Sequence, residues 1–162
     1  SIFANLGPNE VLLCERQYAK LMPSGAWPLE HGAKSRADLT VVTGLTRSQA
    51  QAQSTLHGHL SAVIEVKRAS APKSQIDQDL KRLATLKHAN PNVRALLFVV
   101  AEAYRPKRFV SPEGTAILGE NNIPGVNAHS RVRRACKAAA SFNRKEFAHY
   151  ACIIEVYTGT HT

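Results

Sequence analysis

The sequence has few cysteines, one methionine, one tryptophan and no long hydrophobic run. Its three cysteines, Cys14, Cys136 and Cys152, lack the spacing of a disulfide framework or a zinc site. Such a low, odd number is typical of reduced thiols in an intracellular setting, so we expect a cytoplasmic or nuclear protein. No apolar stretch approaches the ~18 residues of a membrane-spanning helix, and no signal peptide is visible, so we expect no membrane partner.

Acidic residues are also scarce relative to basic ones. The chain has 12 Asp and Glu against 21 Lys and Arg, which gives a formal net charge of +9. An excess of this size favours a polyanionic partner, with nucleic acid ahead of a membrane surface. A glycine-rich phosphate loop, a GxSxG motif and a Cys/His pair are all missing, which disfavours a small-molecule α/β enzyme. With 162 residues, 44% of them apolar, residues 1–162 are expected to form a single globular domain.

The most informative stretch is Ser61–Arg68, which has the β-branched composition of a buried strand but also carries two charges. Side chains alternate between the faces of a strand, so Glu65 and Lys67 point the same way. Ile64 and Val66 are expected to point the opposite way, into a core. A carboxylate and an ammonium on an apolar strand are costly unless they are paired or bound to a ligand such as a metal ion or a phosphate.

The segments around this strand predict the other elements of an α/β fold. Arg36–Val42 has the composition of a short strand, with Asp38 near its start, and Arg94–Val100 is a continuous apolar strand. Between them, residues 72–88 repeat apolar side chains at helical spacing, and Glu10–Met22 is interpreted as a first helix. Three further predictions are an edge strand at Ala26–His31, a long loop at Gly44–Gly58 and a closing strand at Ala148–Tyr157.

In this order, Asp38 followed by Glu65-x-Lys67 on the next strand, then a helix and an apolar strand, resembles the PD-(D/E)xK nuclease superfamily. The resemblance covers roughly Asn9–Ala101, and the position of the proline in the motif is occupied by Ala37. It implies a restriction-endonuclease-like α/β fold with an αβββαβ core, in which helices flank a central mixed sheet.

The resemblance also implies an activity, namely metal-dependent hydrolysis of phosphodiester bonds. Asp38 and Glu65 would hold Mg²⁺, with Mn²⁺ as a substitute, and the Val66 carbonyl would be a third ligand. Lys67 would orient or help to deprotonate the attacking water, or stabilise charge on the phosphate. DNA is favoured over RNA, and a homodimer is allowed because many duplex-cutting relatives act as dimers. The alternative is a non-catalytic nucleic-acid-binding module on the same fold.

Two further residues are candidates for the catalytic site. Glu15 falls within the apolar arc of the helix predicted at Glu10–Met22, and family members often bring a glutamate from this helix to the metal; the alternative is a structural pair with an arginine. Gln75 lies near the start of the second predicted helix, where polar residues often line the family's site, unless it simply faces solvent. Asp77 and Asp79 suit the dipole at the start of that helix and need no catalytic role.

Basic residues that could contact nucleic acid fall into two groups. A helix predicted at His129–Phe142 carries the densest basic block, which would bind the phosphate backbone unless it is only a solvated face. Its members are Arg131, Arg133, Arg134 and Lys137. The second group lies near the predicted strands and the long loop and comprises Lys34, Arg36, Arg47 and Arg68.

Overall fold

The computed structural model describes residues 6–138 and 148–159, which form a seven-stranded mixed sheet with one long helix. The strands are β1 (Glu10–Gln17), β2 (Arg36–Thr43), β3 (Leu60–Arg68), β4 (Arg94–Ala101), β5 (Glu120–Asn122), β6 (Ala128–Lys137) and β7 (Tyr150–Thr158). The helices are α1 (Tyr18–Leu21), α2 (Arg47–Ala52) and α3 (Lys73–Ala89), with short 3₁₀ turns at Leu29–His31 and His57–His59.

The sheet has the order β1-β2-β3-β4-β7-β6-β5, and only the central pair β3–β4 is parallel. The crossover between these two strands is α3, which turns Ile76, Leu80 and Leu83 toward the sheet and buries them. β4 and β7 present Leu97 and Ile154 to the same core. The part of the chain that carries the candidate site is therefore held by the centre of the sheet and by one helix.

The strongest sequence patterns are confirmed by the structure. The strands predicted at Arg36–Val42, Ser61–Arg68 and Arg94–Val100 correspond to β2, β3 and β4, and the closing strand corresponds to β7. The helix predicted at residues 72–88 corresponds to α3. Each of these segments has a long apolar run or a clear helical repeat, so local pattern and tertiary structure agree.

The first predicted helix is wrong. Glu10–Gln17 is the strand β1, which pairs antiparallel with β2, and only the four residues Tyr18–Leu21 are helical. The apolar run Val11-Leu12-Leu13-Cys14 is consistent with both helical and strand periodicity, and pairing with β2 makes this segment a strand. The edge strand predicted at Ala26–His31 is also wrong, since this segment ends in a 3₁₀ turn. The α/β class and the mixed sheet hold, but the helices and strands before α3 run β1-α1-β2-α2-β3 rather than αβββ.

The basic helix predicted at His129–Phe142 is wrong as well. Residues 128–137 form β6, which pairs with β7 along its length, while residues 139–142 lie outside the described part of the chain. Alanines between the arginines suggested a helix, but the partner strand is far away in sequence and local spacing does not reveal it.

The segment predicted as a long loop, Gly44–Gly58, contains helix α2. Thr46 and Gln49 form a capping box, in which each side chain bonds the other residue's backbone N–H. Thr46 at this spacing from Gln49 was the local signal for the helix.

In the described part of the chain, no helix is both long and apolar enough to cross a bilayer.

Candidate active site

Glu65 and Lys67 lie on the face of β3 that packs beneath α3. Val63 shares this face and is fully buried in the core, and Glu65 itself is only 4% exposed. The expectation that Val66 points into a core is wrong, because its side chain is 40% exposed on the other face. The alternation was predicted correctly, but the charged residues, and not Val66, lie on the core side of the strand.

Asp38 reaches this place from the neighbouring strand. The antiparallel register pairs Leu39 of β2 with Ile64 of β3, so Asp38 and Glu65 follow at the next position of each strand. Here the Asp38 Oδ2 accepts a hydrogen bond of 2.6 Å from the Val66 backbone N–H. The side chain of Asp38 thus replaces a backbone hydrogen bond between β2 and β3. The Asp38 and Glu65 carboxyl groups lie close enough to interact, as the sequence predicted.

Tyr18 is a member of the site that the sequence analysis missed. Its hydroxyl donates a hydrogen bond of 2.6 Å to Glu65 Oε1, and the whole side chain is buried. The ring stacks on Trp27 with the centroids 4.4 Å apart, which fixes its position. A buried tyrosine needs a partner for its hydroxyl, so a tyrosine on the predicted apolar face was the available signal.

The electrostatics of Glu65 follow from these neighbours. Burial raises the pKa of the Glu65 carboxyl from 4.5 to about 8. The Tyr18 hydrogen bond opposes this rise, while the nearby charges of Asp79 and Asp38 add to it. Without a counter-charge at the pair, Glu65 is therefore largely protonated at neutral pH.

Lys67 is held by α3. Its Nζ lies 3.0 Å from Asp79 Oδ2, and Arg82 Nη1 lies 3.3 Å from Asp79 Oδ1. The side chain of Asp79 is 3% exposed, whereas that of Lys67 is 27% exposed. The helix-dipole interpretation of Asp79 is wrong, because the first turn of α3 contains no acidic residue. This carboxylate instead pairs with Lys67, which shares a face of β3 with Glu65.

We expect Asp79→Ala to lower the free energy of unfolding by about 1–3 kcal/mol, since it leaves Lys67 and Arg82 without their buried partner. Asp77→Ala is the matched control on the same helix, because its ion pair with Arg108 is more exposed and should contribute less than about 1 kcal/mol. Urea unfolding of the three proteins measures the difference. Equal losses for both variants would contradict the buried role of Asp79.

Glu15 does not lie on a helix. It occupies β1 between Cys14, which pairs with Leu39, and Arg16, which pairs with Ala37, so it lies opposite Asp38 in the register. Its φ is 54°, which is rare for a residue other than glycine, and its side chain is exposed. The helical argument that aimed Glu15 at the metal is therefore wrong, although the residue lies on the same level of the sheet as the carboxylate pair.

The left-handed conformation at Glu15 gives a test of backbone strain. Glycine adopts this conformation without the cost of about 1–2 kcal/mol that a side chain incurs. We expect Glu15→Gly to be more stable than the control Cys14→Gly, an exposed strand position, by about that amount. Thermal unfolding of both variants measures the difference in stability. A Glu15→Gly protein that loses as much stability as the control would contradict backbone strain at Glu15.

Gln75 is exposed near the start of α3, one turn before Asp79. Among the described residues its side chain has no hydrogen-bond partner. The structure thus places Gln75 at the rim of the site and gives it no contact with Asp38, Glu65 or Lys67.

The arginine block of β6 lies on the other face of the sheet. Residues opposite one another on neighbouring strands share a face of the sheet. Arg131 of β6 is opposite Glu155 of β7, and Glu155 is opposite Leu96 of β4. Leu96 is in turn opposite Ile64 of β3, so Arg131 and Ile64 lie on the same face. Ile64 points away from the face of its neighbour Glu65. Arg131 is therefore separated from the carboxylate pair by the thickness of the sheet.

Two of these arginines are also engaged in ion pairs. Arg131 Nη2 lies 2.7 Å from Glu120 Oε1, and Arg133 Nε lies 3.4 Å from Glu155 Oε2. The remaining predicted nucleic-acid contacts are exposed in turns, in helix α2 or on strands; they are Lys34, Arg36, Arg47, Arg68, Arg134 and Lys137.

Within residues 6–138 and 148–159, no group of three or more His, Cys, Asp or Glu side chains is arranged to hold a metal ion. The available acidic donors at the site are the Asp38 and Glu65 carboxylates. The chain matches none of the family models, curated proteins or solved structures with which it was compared.

Proposed function

We propose that the protein is a metal-dependent nuclease that hydrolyses phosphodiester bonds, with DNA as the favoured substrate. The observation that supports this best is the Asp38–Glu65 carboxylate pair at the level where β2 and β3 separate, with Lys67 on the same face of β3. Burying the Glu65 carboxyl group beside a second carboxylate costs stability, and such costs concentrate at functional sites.

The donor set fits a hard divalent cation such as Mg²⁺ or Mn²⁺. Mg²⁺ is usually bound by one or two carboxylates and keeps several waters, so Asp38 and Glu65, with the Val66 carbonyl as a further oxygen, suffice. The raised pKa of Glu65 supports the same proposal, because its burial and the nearby charges of Asp79 and Asp38 favour a positive charge beside it. Such an ion supplies polarisation of the phosphate and a lowered pKa of a bound water.

The remaining side chains would prepare the site. Lys67 would hold the attacking water or the developing charge on the phosphate, and its ammonium is already fixed by Asp79. Tyr18 would keep Glu65 in one rotamer, since its hydroxyl bonds Oε1 and leaves Oε2 for other partners.

A second function is favoured by one observation, the position of the β6 arginines on the face opposite the carboxylate pair. A non-catalytic nucleic-acid-binding module could bind through Arg134 and its neighbours without using Asp38, Glu65 or Lys67. In that case binding would be independent of divalent metal.

The test is a panel of plasmid, linear duplex, branched DNA, single-stranded DNA and RNA substrates, each incubated with Mg²⁺, Mn²⁺ or EDTA. We expect cleavage of at least one substrate with Mg²⁺ or Mn²⁺, none with EDTA, and none by Asp38→Asn. Binding without cleavage under every condition would favour the non-catalytic module, and cleavage that persists in excess EDTA would exclude the two-carboxylate mechanism.

A further inference from the structure

A cavity opens next to the candidate site, beyond the end of β3. Ala69 follows Lys67 by two residues, in the turn that directly succeeds β3. Together with Ala71, Ile76 of α3, and Phe109, Ala69 lines a cavity of about 350 Å³. This volume lies in the range of roughly 300–1,000 Å³ that is usual for sites of small organic groups.

The rim of the cavity is basic. Lys73, Lys107 and Arg108 surround an apolar floor, and among the described residues none of the lining side chains is acidic. Lys73 and Lys107 form no ion pair with any described residue. Arg108 is paired with Asp77 and lies over the ring of Phe109, with its Cζ 5.4 Å from the centroid. The cavity thus combines an apolar interior, lined in part by the aromatic residues Tyr104 and Phe109, with cations at its mouth.

Tyr104 adds a polar group inside this wall. Its side chain lines the cavity, and its hydroxyl is buried without a hydrogen-bond partner in the described part of the chain. A buried hydroxyl without a partner costs about 1–3 kcal/mol, so a ligand that displaces the atoms covering it and bonds it would gain affinity. The ligand class that suits these features is flat, apolar on its faces, polar at its edge and attached to an anion.

We propose that this cavity holds one unpaired nucleobase of the substrate, next to the phosphate at the Asp38–Glu65 pair. A base within a duplex is covered on both faces and cannot enter a concave site unless it leaves the stack. The substrate is therefore a single strand, or a duplex with unpaired nucleotides at the point of cleavage. The inference rests on the proposed nuclease function for the identity of the ligand, but the cavity can be tested without cleavage.

The first measurement is binding in EDTA, by fluorescence anisotropy. The probes are a labelled thymidine oligonucleotide and a fully abasic oligonucleotide of the same length and charge. The bases are the only difference, so we expect the abasic strand to bind about 5- to 100-fold more weakly, as stacking of a base in a protein site predicts. Equal affinities for the two probes would overturn the proposal, whatever the protein cleaves.

Variants then locate the effect. Ala71→Phe fills the cavity and should reduce the preference for bases to less than twofold, while Ala33→Phe, in an exposed turn, should leave it unchanged. Tyr104→Phe removes only the hydroxyl and should weaken binding of the base-containing probe alone, by about 3- to 10-fold. It serves as the second test if Ala71→Phe does not fold. A base preference that survives both variants would place the base elsewhere.

The outcomes separate this inference from the proposed function. A base preference that Ala71→Phe abolishes, in a protein that cleaves nothing with any metal, supports the cavity and contradicts the nuclease. Metal-dependent cleavage of intact duplex at the rate of single strands, unchanged by Ala71→Phe, supports the nuclease and overturns the cavity.

Discussion

Lys67→Met should lower the rate of phosphodiester cleavage by about 100- to 10,000-fold, the usual contribution of a positioned acid–base or charge-stabilising group. Methionine keeps the apolar stem of the lysine and removes only the ammonium, which is paired with Asp79 on the face of β3 that carries Glu65. Asp79 retains Arg82 as a partner, so the fold should survive. Initial rates under the metal conditions that support cleavage by the wild type measure the effect, and a thermal melt checks folding.

The matched control is Lys20→Met, which removes an exposed ammonium from α1. It should leave the rate within about twofold, because Lys20 is exposed and salt screens a single exposed charge. A folded Lys67→Met protein that cleaves at the wild-type rate would contradict the assignment of Glu65-x-Lys67. A loss shared by both variants would point to substrate attraction by net charge instead.

Glu65→Gln should raise stability at pH 8 and above, even though it removes a proposed metal ligand. The folded-state pKa of Glu65 is about 8, against an ordinary value of 4.5, so the folded protein binds this proton more tightly than the unfolded chain does. Stability of the wild type therefore falls as the pH rises from 4.5 to 8, and the Gln variant escapes this loss. The gain at pH 8 is at most about 5 kcal/mol, or a melting temperature higher by on the order of 10 °C.

The measurement is a series of thermal melts in EDTA between pH 5 and pH 9. The difference between Glu65→Gln and the wild type should be small at pH 5, grow up to pH 8 and then stay constant. Glu30→Gln, at an exposed position, should show no such trend. Mg²⁺ added at pH 8 should then raise the melting temperature of the wild type but not that of Glu65→Gln. An equal rise for both proteins, or none for the wild type, would contradict Glu65 as a metal ligand.

The sequence was sufficient for the centre of the fold and for the two carboxylates. Asp38 and Glu65 lie on strands whose apolar runs leave little choice of structure, and α3 follows from its repeat. The partners of Tyr18 and Asp79 and the cavity near Tyr104 were out of reach, because each depends on a contact between distant segments. Tyr18 meets Glu65 across 47 residues, so the local pattern can mark the tyrosine but cannot name its partner.

The wrong predictions have the same cause. Helices were predicted at Glu10–Met22 and His129–Phe142 from local spacing, yet Glu10–Gln17 and Ala128–Lys137 are strands that pair with β2 and β7. The propensity for a strand depends on the neighbouring strands more than on the segment itself. Glu15 was assigned to the site by a helical projection. In the structure Glu15 has a left-handed backbone conformation within β1, and that strand depends on its pairing with β2, which the local sequence does not show.

The position of β4 between β3 and β7 has a consequence for how the chain folds. β1, β2, β3 and β4 pair in the order in which they are synthesised, whereas β7, the other neighbour of β4, follows only after residues 102–149. Until β7 emerges from the ribosome, the apolar strand β4 is an open edge on which another nascent chain can add a strand. Slow translation of the last segment would therefore favour aggregation, and chaperones that cover strand edges would act on the interval between β4 and β7.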